Sequence, residues 1–417
     1  MRTDSGVKSP KLSRNGDFLK FWSGQALSQL GAAVTAFAMP ILVLDLTGSA
    51  SQAGTVLAVQ QVPYLLLGLF AGVVVDRVNR KALMVWMDTI RAALVGLIAF
   101  LCFAQSVSIY ALMAVGVVMG IAYTLFDVAD NSAFPSLVTR KQLPRAASLA
   151  EGGATAADLL GPALAGVVIS AFASVQAGVG GAYVINAFTF VVAAGFVAAI
   201  RRPLTPPARD TSAPSGVLKE IQHGILFLWR DKRLRAMAVA NLLNCLLLSP
   251  IVLLMTAVGR IQLNLDASVL GLIISGGALG GLAGALLTPY IRDRLSARAT
   301  MICAGGAWIA ASLVLAAWPS VWGIIASWAL FSLFMPVYFS TLYAYRVLLV
   351  PDGLQGRVNS AYRLLAQGGT PLGALLGGIS IERFGSQTTV LVFAVGFLVA
   401  SIIAWGIGKD AEGTDDE

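Results

Sequence analysis

Residues 72–81 read Gly72-Val73-Val74-Val75-Asp76-Arg77-Val78-Asn79-Arg80-Lys81, a charge cluster set in a gap between two apolar runs. One run reaches back from Val75 to Ser51, and the next begins at Ala82. Each is about 20 residues or longer, the length at which a helix rising ~1.5 Å per residue crosses a ~30 Å hydrocarbon core. Charges confined to such a gap mark a turn at a membrane surface.

The same alternation continues along the chain. Twelve apolar segments fall at roughly 18–44, 52–75, 82–104, 108–130, 146–172, 178–200, 236–258, 267–290, 299–318, 320–345, 358–380 and 387–408. Of the 417 residues, 57% are hydrophobic and 12% charged, against roughly 25% charged in soluble domains. The chain therefore reads as an all-α integral membrane protein. Cys102, Cys245 and Cys303 are widely spaced within apolar runs, which suits buried thiols rather than disulfides or metal ligands. A single histidine, His223, builds no metal site by itself, and the scattered acids supply no clustered nucleophile. No enzyme activity, cofactor or metal is expected.

Basic residues set the expected orientation. Most of the 29 lysines and arginines lie in the N-terminal tail, the 72–81 loop, 140–145, 201–235, 292–298, Arg357 and Lys409, while Arg260 and Arg383 fall on the other side. Both termini are thereby expected in the cytoplasm, and the net charge of +8 needs no nucleic-acid partner. The expected divisions are a cytoplasmic tail (1–17), a six-helix bundle (18–200), a cytoplasmic linker (201–235), a second six-helix bundle (236–408) and an acidic cytoplasmic tail (409–417). Within the linker, the part from Ser215 interleaves apolar and charged residues and is expected to lie on the inner membrane surface as an amphipathic helix.

The halves repeat. At one constant offset Gly68 meets Gly280, Gly72 meets Gly284, Arg80 meets Arg292, Arg145 meets Arg357, Gly161 meets Gly373 and Gly166 meets Gly378. An internal six-span repeat is the sequence trace of a two-lobed transporter with a central site.

With twelve spans, this repeat and G-x-x-x-D-R-x-x-R-K between spans 2 and 3, the chain resembles the major facilitator superfamily. The strings FWSGQALSQLGAAVTAFAMPILVLDLTGSA, QVPYLLLGLFAGVVVDRVNRK and LVPDGLQGRVNSAYRLLAQGGTPLGALLGGIS look like its bacterial macrolide-efflux and enterobactin-exporter branch. The resemblance implies a major facilitator fold of two pseudo-symmetric bundles and export of amphipathic small molecules driven by the proton gradient. Asn79 stands where the superfamily loop has glycine, and its tolerance of left-handed backbone is expected to preserve the turn.

Candidate site residues follow. For a cytoplasmic gate, Gly72 is expected to let span 2 approach a neighbour, while Asp76, Arg77, Arg80 and Lys81 are expected to work with Asp127 and Asp130 on span 4. Arg145 and Arg357, matched by the repeat, complete that set. For proton coupling, Asp158 lies deep in span 5 without a basic residue in its own span, and Glu151 is on the same helical face. A structural hydrogen-bonding role beside the Gly161-Pro162 break fits Asp158 equally. Asp88 and Arg91, at i and i+3, are expected to neutralise one another. Arg363 aligns with Glu151, so an interlobe Glu151–Arg363 pair and contact with an anionic substrate both remain open. Gly152, Gly161, Pro162 and Gly166 partly resemble the glycine-proline motif of superfamily antiporters, with Gly373 and Gly378 as its echo. Gln25, Gln29, Gln60, Asn241, Asn244, Tyr338 and Gln367 are polar candidates for a largely apolar substrate cavity.

The function expected is a proton-coupled exporter of an antibiotic, another natural product or a siderophore, acting as a monomer in the bacterial cytoplasmic membrane, with protons, lipid and the small molecule as its partners. A nutrient importer or facilitator is the alternative, and a non-transporting sensor or scaffold a third.

Overall fold

The computed structural model describes residues 12–139, 141–204, 217–351 and 354–405; the side chains at 13, 69, 73, 217–223, 278, 356, 357, 360 and 367 lie outside that description. Every long element among the described residues is helical. The first lobe comprises α1 (Gly16–Thr47), α2 (Ala50–Val75), α3 (Arg80–Phe103), α4 (Ile109–Leu137), α5 (Leu143–Ser170) and α6 (Val175–Ala198). Then come α7 (Val217–Arg230), α8 (Lys232–Leu248), α9 (Ile251–Ala257) with a π-helical turn (Val258–Gln262), α10 (Ala267–Arg292), α11 (Ala297–Ala317), α12 (Val321–Leu349) and α13 (Gln355–Trp405). Among the described residues, ten helical segments are long and apolar enough to cross a membrane. In hydrocarbon every backbone N–H and C=O must be paired internally, which is why apolar sequence of this length becomes helix.

Local chemistry sets the ends. Asn15, Ser49, Asn79, Ser108, Ser174, Asp231, Ser296 and Ser320 all precede helices, and each side chain accepts from an amide of the first turn. Asn79 does so in extended backbone (φ −66°, ψ 110°), so the left-handed conformation expected there is not used. An asparagine suits the position because it caps α3, accepting from Ala82 N–H at 3.2 Å. Pro250 separates α8 from α9, and Gly385 (φ 78°) breaks α13 into two helical halves where the sequence expects two spans.

Packing within the first lobe sets α1 against α5 and α6, α3 against α4 and α6, and α2 against α4. In the second, α8 packs on α13, α10 on α12, and α11 on both α12 and α13. Trp308, Tyr338, Phe331 and Phe397 stack at the centre of that lobe, with Trp308 and Tyr338 ring centroids 5.1 Å apart. Large apolar side chains such as Leu286, Leu348, Phe100 and Phe188 point outward, as lipid contact requires. Helix α7 docks on α8 and α13 and buries Leu228 completely, so this end of the expected surface helix belongs to the second lobe's packing.

Two lateral seams join the lobes: α2 against α13, and α5 against α10. They carry the geometry that matters for function.

Candidate functional site

Both seams are tight at the end remote from the 72–81 loop. On the first, Ala374, Gly378 and Glu382, spaced four apart on one face of α13, meet Ala50 and Gly54 of α2. A Cβ on Gly54 would lie 2.3 Å from the Ala374 carbonyl oxygen and 3.0 Å from Gly378 Cα. On the second, a Cβ on Gly166 would lie 2.5 Å from the Ala267 carbonyl oxygen, and Gly271 abuts Pro162 and Gly166 in the same way. Small residues here let backbones touch, which is how helices associate where lipid removes the usual hydrophobic drive.

Toward the loop the lobes part. Nothing lies within 4 Å of a Cβ placed on Gly68, Gly72 or Gly152. The close approach expected at Gly72 is therefore absent here, because α2 meets α13 at its opposite end. Gly161 and Gly373 make close contacts inside the lobes instead, with α1 at Ala33 and with α8 at Leu246.

A polar link crosses the parted region. Arg363 of α13 reaches into the first lobe, 3.0 Å from Asp127 Oδ2 of α4 and hydrogen-bonded to the Tyr64 hydroxyl of α2. Tyr64 also donates to Asp127 Oδ2 at 3.3 Å, and Asn131 donates to Oδ1 at 3.1 Å. The Arg363 side chain is 53% exposed and that of Asp127 19%, so the pair stands at the edge of an open cleft. Arg363 is thus paired with Asp127 rather than with Glu151, which is exposed. We expect Arg363→Ala to shift the equilibrium between lobe arrangements about 10-fold, the effect of a ~1.4 kcal/mol coupling in a partly exposed pair. The exchange Asp127→Arg with Arg363→Asp is expected to recover most of it. Spin-label distances between the lobes measure the shift, and equal losses in the single and exchanged variants would remove the pair from the gate.

Behind Asp127 the charge continues into the lobe. Asp88 and Arg91 are in direct contact, 0% and 4% exposed, with the guanidinium 4.0 Å from the Phe126 ring centroid and 4.5 Å from that of Phe190. Asp130 has a buried oxygen without a hydrogen-bond partner, and Asp127, Arg91 and Asp88 are the charged groups acting on it. Three carboxyls and one guanidinium from the first lobe, with Arg363 from the second, make one acid more than there are cations.

The loop's own cations turn elsewhere. Arg80 lies 3.5 Å from Asp76 and donates to Ser132 O at 3.2 Å; Lys81 donates to Ile200 O at 2.8 Å; Arg77 and Arg145 are exposed. The expected pairing of these cations with Asp127 and Asp130 is not formed: Asp127 is taken by Arg363, and Asp130 faces Arg91 and Asp88 inside the lobe. Lys20 donating to Ala199 O and Asp17 accepting from the amides of Arg201 and Arg202 tie this face of the first lobe together. The side chain of Arg357 lies outside the described residues, as does that of Gln367.

Asp158 is exposed, without a hydrogen bond or ion pair among the described residues. It continues the α5 ridge formed by Pro162, Gly166 and Ser170, one turn below the point where α5 and α10 separate. Gln60 borders a 170 Å³ cavity inside the first lobe, lined by Ala36, Met39, Val95, Ile98 and Met119 among others. Gln25 is half-buried and Gln29 exposed. Asn241, Asn244 and Tyr338 depart from expectation: at 3%, 4% and 1% exposed they are interior to the second lobe rather than on an open wall. Each keeps one buried oxygen unpartnered. Two participants escaped the sequence reading, Tyr64 and Glu382; the only signal for either was a polar side chain in or beside an apolar run.

Residues 10–410 match the family described as transmembrane secretion effector. Macrolide efflux protein A of Streptococcus pyogenes is 25% identical over 373 residues, covering 88% of this chain and 90% of that protein. Multidrug efflux pump Tap of Mycobacterium tuberculosis (strain ATCC 25618 / H37Rv) is 28% identical over 388 residues, covering 91% and 90%. Among solved structures, a mutant form of the nucleoside transporter NupG superposes with a TM-score of 0.79 at 15% identity, over 95% of this chain and 100% of that one. A bacterial homologue of the iron transporter ferroportin gives 0.72 in its inward-facing state, at 20% identity over 94% and 100% of the chains. Its outward-facing state gives 0.63, at 19% identity over 93% and 98%.

Proposed function

The chain belongs to the transmembrane secretion effector family of major facilitator transporters, multi-pass proteins of the bacterial membrane, and on that premise we propose that it exports hydrophobic or amphipathic small molecules by alternating access. One observation carries the reading: both lateral seams are closed at one end of the molecule and parted at the other. That is the geometry of one state of a two-lobed pump. The higher TM-score against the inward-facing ferroportin homologue supports assigning the parted end to the cytoplasm. Twelve crossings with both termini cytoplasmic are supported by the distribution of basic residues, the 26-residue length of α2 and the break at Gly385.

The substrate is an antibiotic, another natural product or a siderophore. The names of the relatives, macrolide and multidrug efflux proteins, favour the first. The apolar cavity beside Gln60, at 170 Å³, holds no more than a ring of about benzene size, so a drug-sized substrate is taken up in the cleft between the parted lobes. Energy comes from proton antiport, a role that the unpaired Asp158, with Glu151 below it, and the surplus acid among Asp88, Asp127 and Asp130 are placed to serve. The protein works as a monomer surrounded by lipid, with no further cofactor.

The test is a panel of macrolides, other antibiotics and siderophores in an efflux-deficient bacterium with and without this protein. Reduced accumulation that a protonophore restores is expected for at least one compound class; unchanged accumulation across the panel removes the export reading. In proteoliposomes, Asp158→Asn is expected to lower gradient-driven transport about 100-fold or more, the scale of a lost proton-transfer group, while substrate exchange without a gradient continues. Retention of full gradient-driven transport would pass the coupling role to Asp130.

A further inference from the structure

We propose that Arg346 and Asn359 form an anion-binding site at the cytoplasmic mouth of the cleft, one that takes a phosphate or carboxylate head carried on an apolar stem. Its placement at that mouth rests on the orientation assigned above, with the parted end facing inward.

Two arginines among the described residues are buried, Arg91 and Arg346. Arg91 has Asp88 in direct contact. Arg346, 9% exposed in the last turn of α12, has no carboxylate partner among the described residues. Its Nη2 donates to Asn359 Oδ1 of α13 at 2.7 Å. The guanidinium carbon lies 4.2 Å from the Tyr362 ring centroid and 5.4 Å from that of Tyr343. Aromatic faces and the carbonyl end of a helix both favour a cation. They soften the cost of burying this charge without cancelling it, and a charge withdrawn from water calls for a counter-ion. Asp127, the first-lobe acid across the cleft, is taken by Arg363.

Room for that counter-ion is present. A 210 Å³ cavity opens beside Arg346 between α12 and α13, lined by Tyr343, Val347, Val350, Val358 and Asn359 among others. It exceeds the ~150 Å³ that holds benzene, so a head group and the first methylenes of a stem fit together. Three valines supply the apolar wall. A guanidinium carries five N–H donors in a planar fork that matches two oxygens of one phosphate or carboxylate. Arg346 uses one nitrogen on Asn359, which leaves the rest of the fork for a ligand. With Oδ1 of Asn359 accepting from Arg346, its amide NH2 is left as a further donor. Arg346 and Asn359 thus offer donors alone, the complement of an anion.

The cavity faces the cleft. Asn359 and Arg363 are one turn apart on the same face of α13, both are exposed, and Arg363 spans the parted region. Tyr343 and Val347, one turn apart on α12, are exposed as well. An amphiphile arriving from the cytoplasm or the inner leaflet meets this site one helical turn before it meets the Arg363–Asp127 link. Two sources supply such a head: an anionic lipid of the inner leaflet and an anionic amphipathic substrate.

The probe is hexyl phosphate, with hexanol as its uncharged counterpart. Calorimetry follows its titration into the full-length protein in nanodiscs of phosphatidylcholine, alone or with phosphatidylglycerol added, against empty nanodiscs. The buffer carries enough salt to screen the membrane's surface charge. Saturable binding of hexyl phosphate and none of hexanol is expected. Arg346→Gln is expected to weaken it about 10-fold or more, the scale of a lost charge-assisted hydrogen bond. Arg346→Lys, which keeps the charge without the fork, is expected to fall between. Val347→Trp, which fills the cavity from an exposed position and leaves the buried charge in place, is expected to abolish binding as well. Weaker binding in phosphatidylglycerol assigns the head to lipid, by competition, and equal binding in both assigns it to the substrate; either supports the site. No saturable binding by the wild type, equal binding of hexanol, or wild-type affinity in Arg346→Gln overturns the proposal. None of these titrations involves transport, so ethidium efflux from proteoliposomes tests the export reading separately.

Discussion

Gly54→Leu is expected to reduce export to background while leaving the protein folded. The smallest addition at this position, a Cβ, would lie 2.3 Å from the Ala374 carbonyl oxygen and 3.3 Å from its carbonyl carbon, both backbone atoms that cannot swing aside. Leucine adds three more carbons to that overlap. Neither lobe's interior is touched, so the strain is relieved by separating α2 from α13 at the outer end. Overpacking costs about 1–3 kcal/mol where neighbours can adjust, and more where they are backbone. Lobe arrangements in a working transporter are balanced within a few kcal/mol, so a shift of ~3 kcal/mol moves their ratio about 100-fold. Ethidium efflux and thiol labelling from outside measure the two consequences, loss of transport and a more open outer mouth. Gly54→Ala is expected to fall between. Wild-type efflux in Gly54→Leu would show that this seam never needs to close as tightly as the structure has it.

The second large effect is on stability. Asp88→Ala is expected to destabilise the first lobe by about 3–5 kcal/mol, the cost of leaving a buried charge without its partner. Arg91 is 4% exposed and held between the rings of Phe126 and Phe190, so its charge has no route to water. Asp88 is its direct contact, and Asp130 is the next acid acting on it. Replacing both members with apolar residues, Asp88→Leu with Arg91→Met, is expected to restore most of the loss, because neither charge then needs solvation. Thermal unfolding in detergent measures both variants. A double variant as unstable as the single would mean that Arg91 contributes through Asp130 or the aromatic rings rather than through Asp88.

Much of the architecture was legible in residue order. The spans, the charged turn at 72–81, the internal repeat and the Asp88–Arg91 contact all depend on features a few residues long. Asn79 shows the limit of reading by family pattern: a residue expected to adopt left-handed backbone instead caps α3 in extended backbone. Arg363 shows the limit of reading by repeat. Its alignment with Glu151 suggested that pairing, yet the guanidinium crosses to Asp127 and Tyr64 on different helices. Gly72 and Gly54 belong to the same helix and look alike as small residues in an apolar run. The tilt of the lobes decides which one touches a backbone.

The sequence by itself determined that this chain spans a membrane many times as helix, with a charged turn at 72–81 and an internal repeat. That follows because each residue's preference for lipid or water acts at its own position, and summing those preferences along the chain is enough to place spans and turns. Only the tertiary structure decided which acids meet which bases and which glycines touch. Each helix turns about 100° per residue, so its contacts depend on rotation, tilt and the rigid placement of one lobe on the other. Those quantities arise from packing between segments hundreds of residues apart, and no local run of the chain carries them.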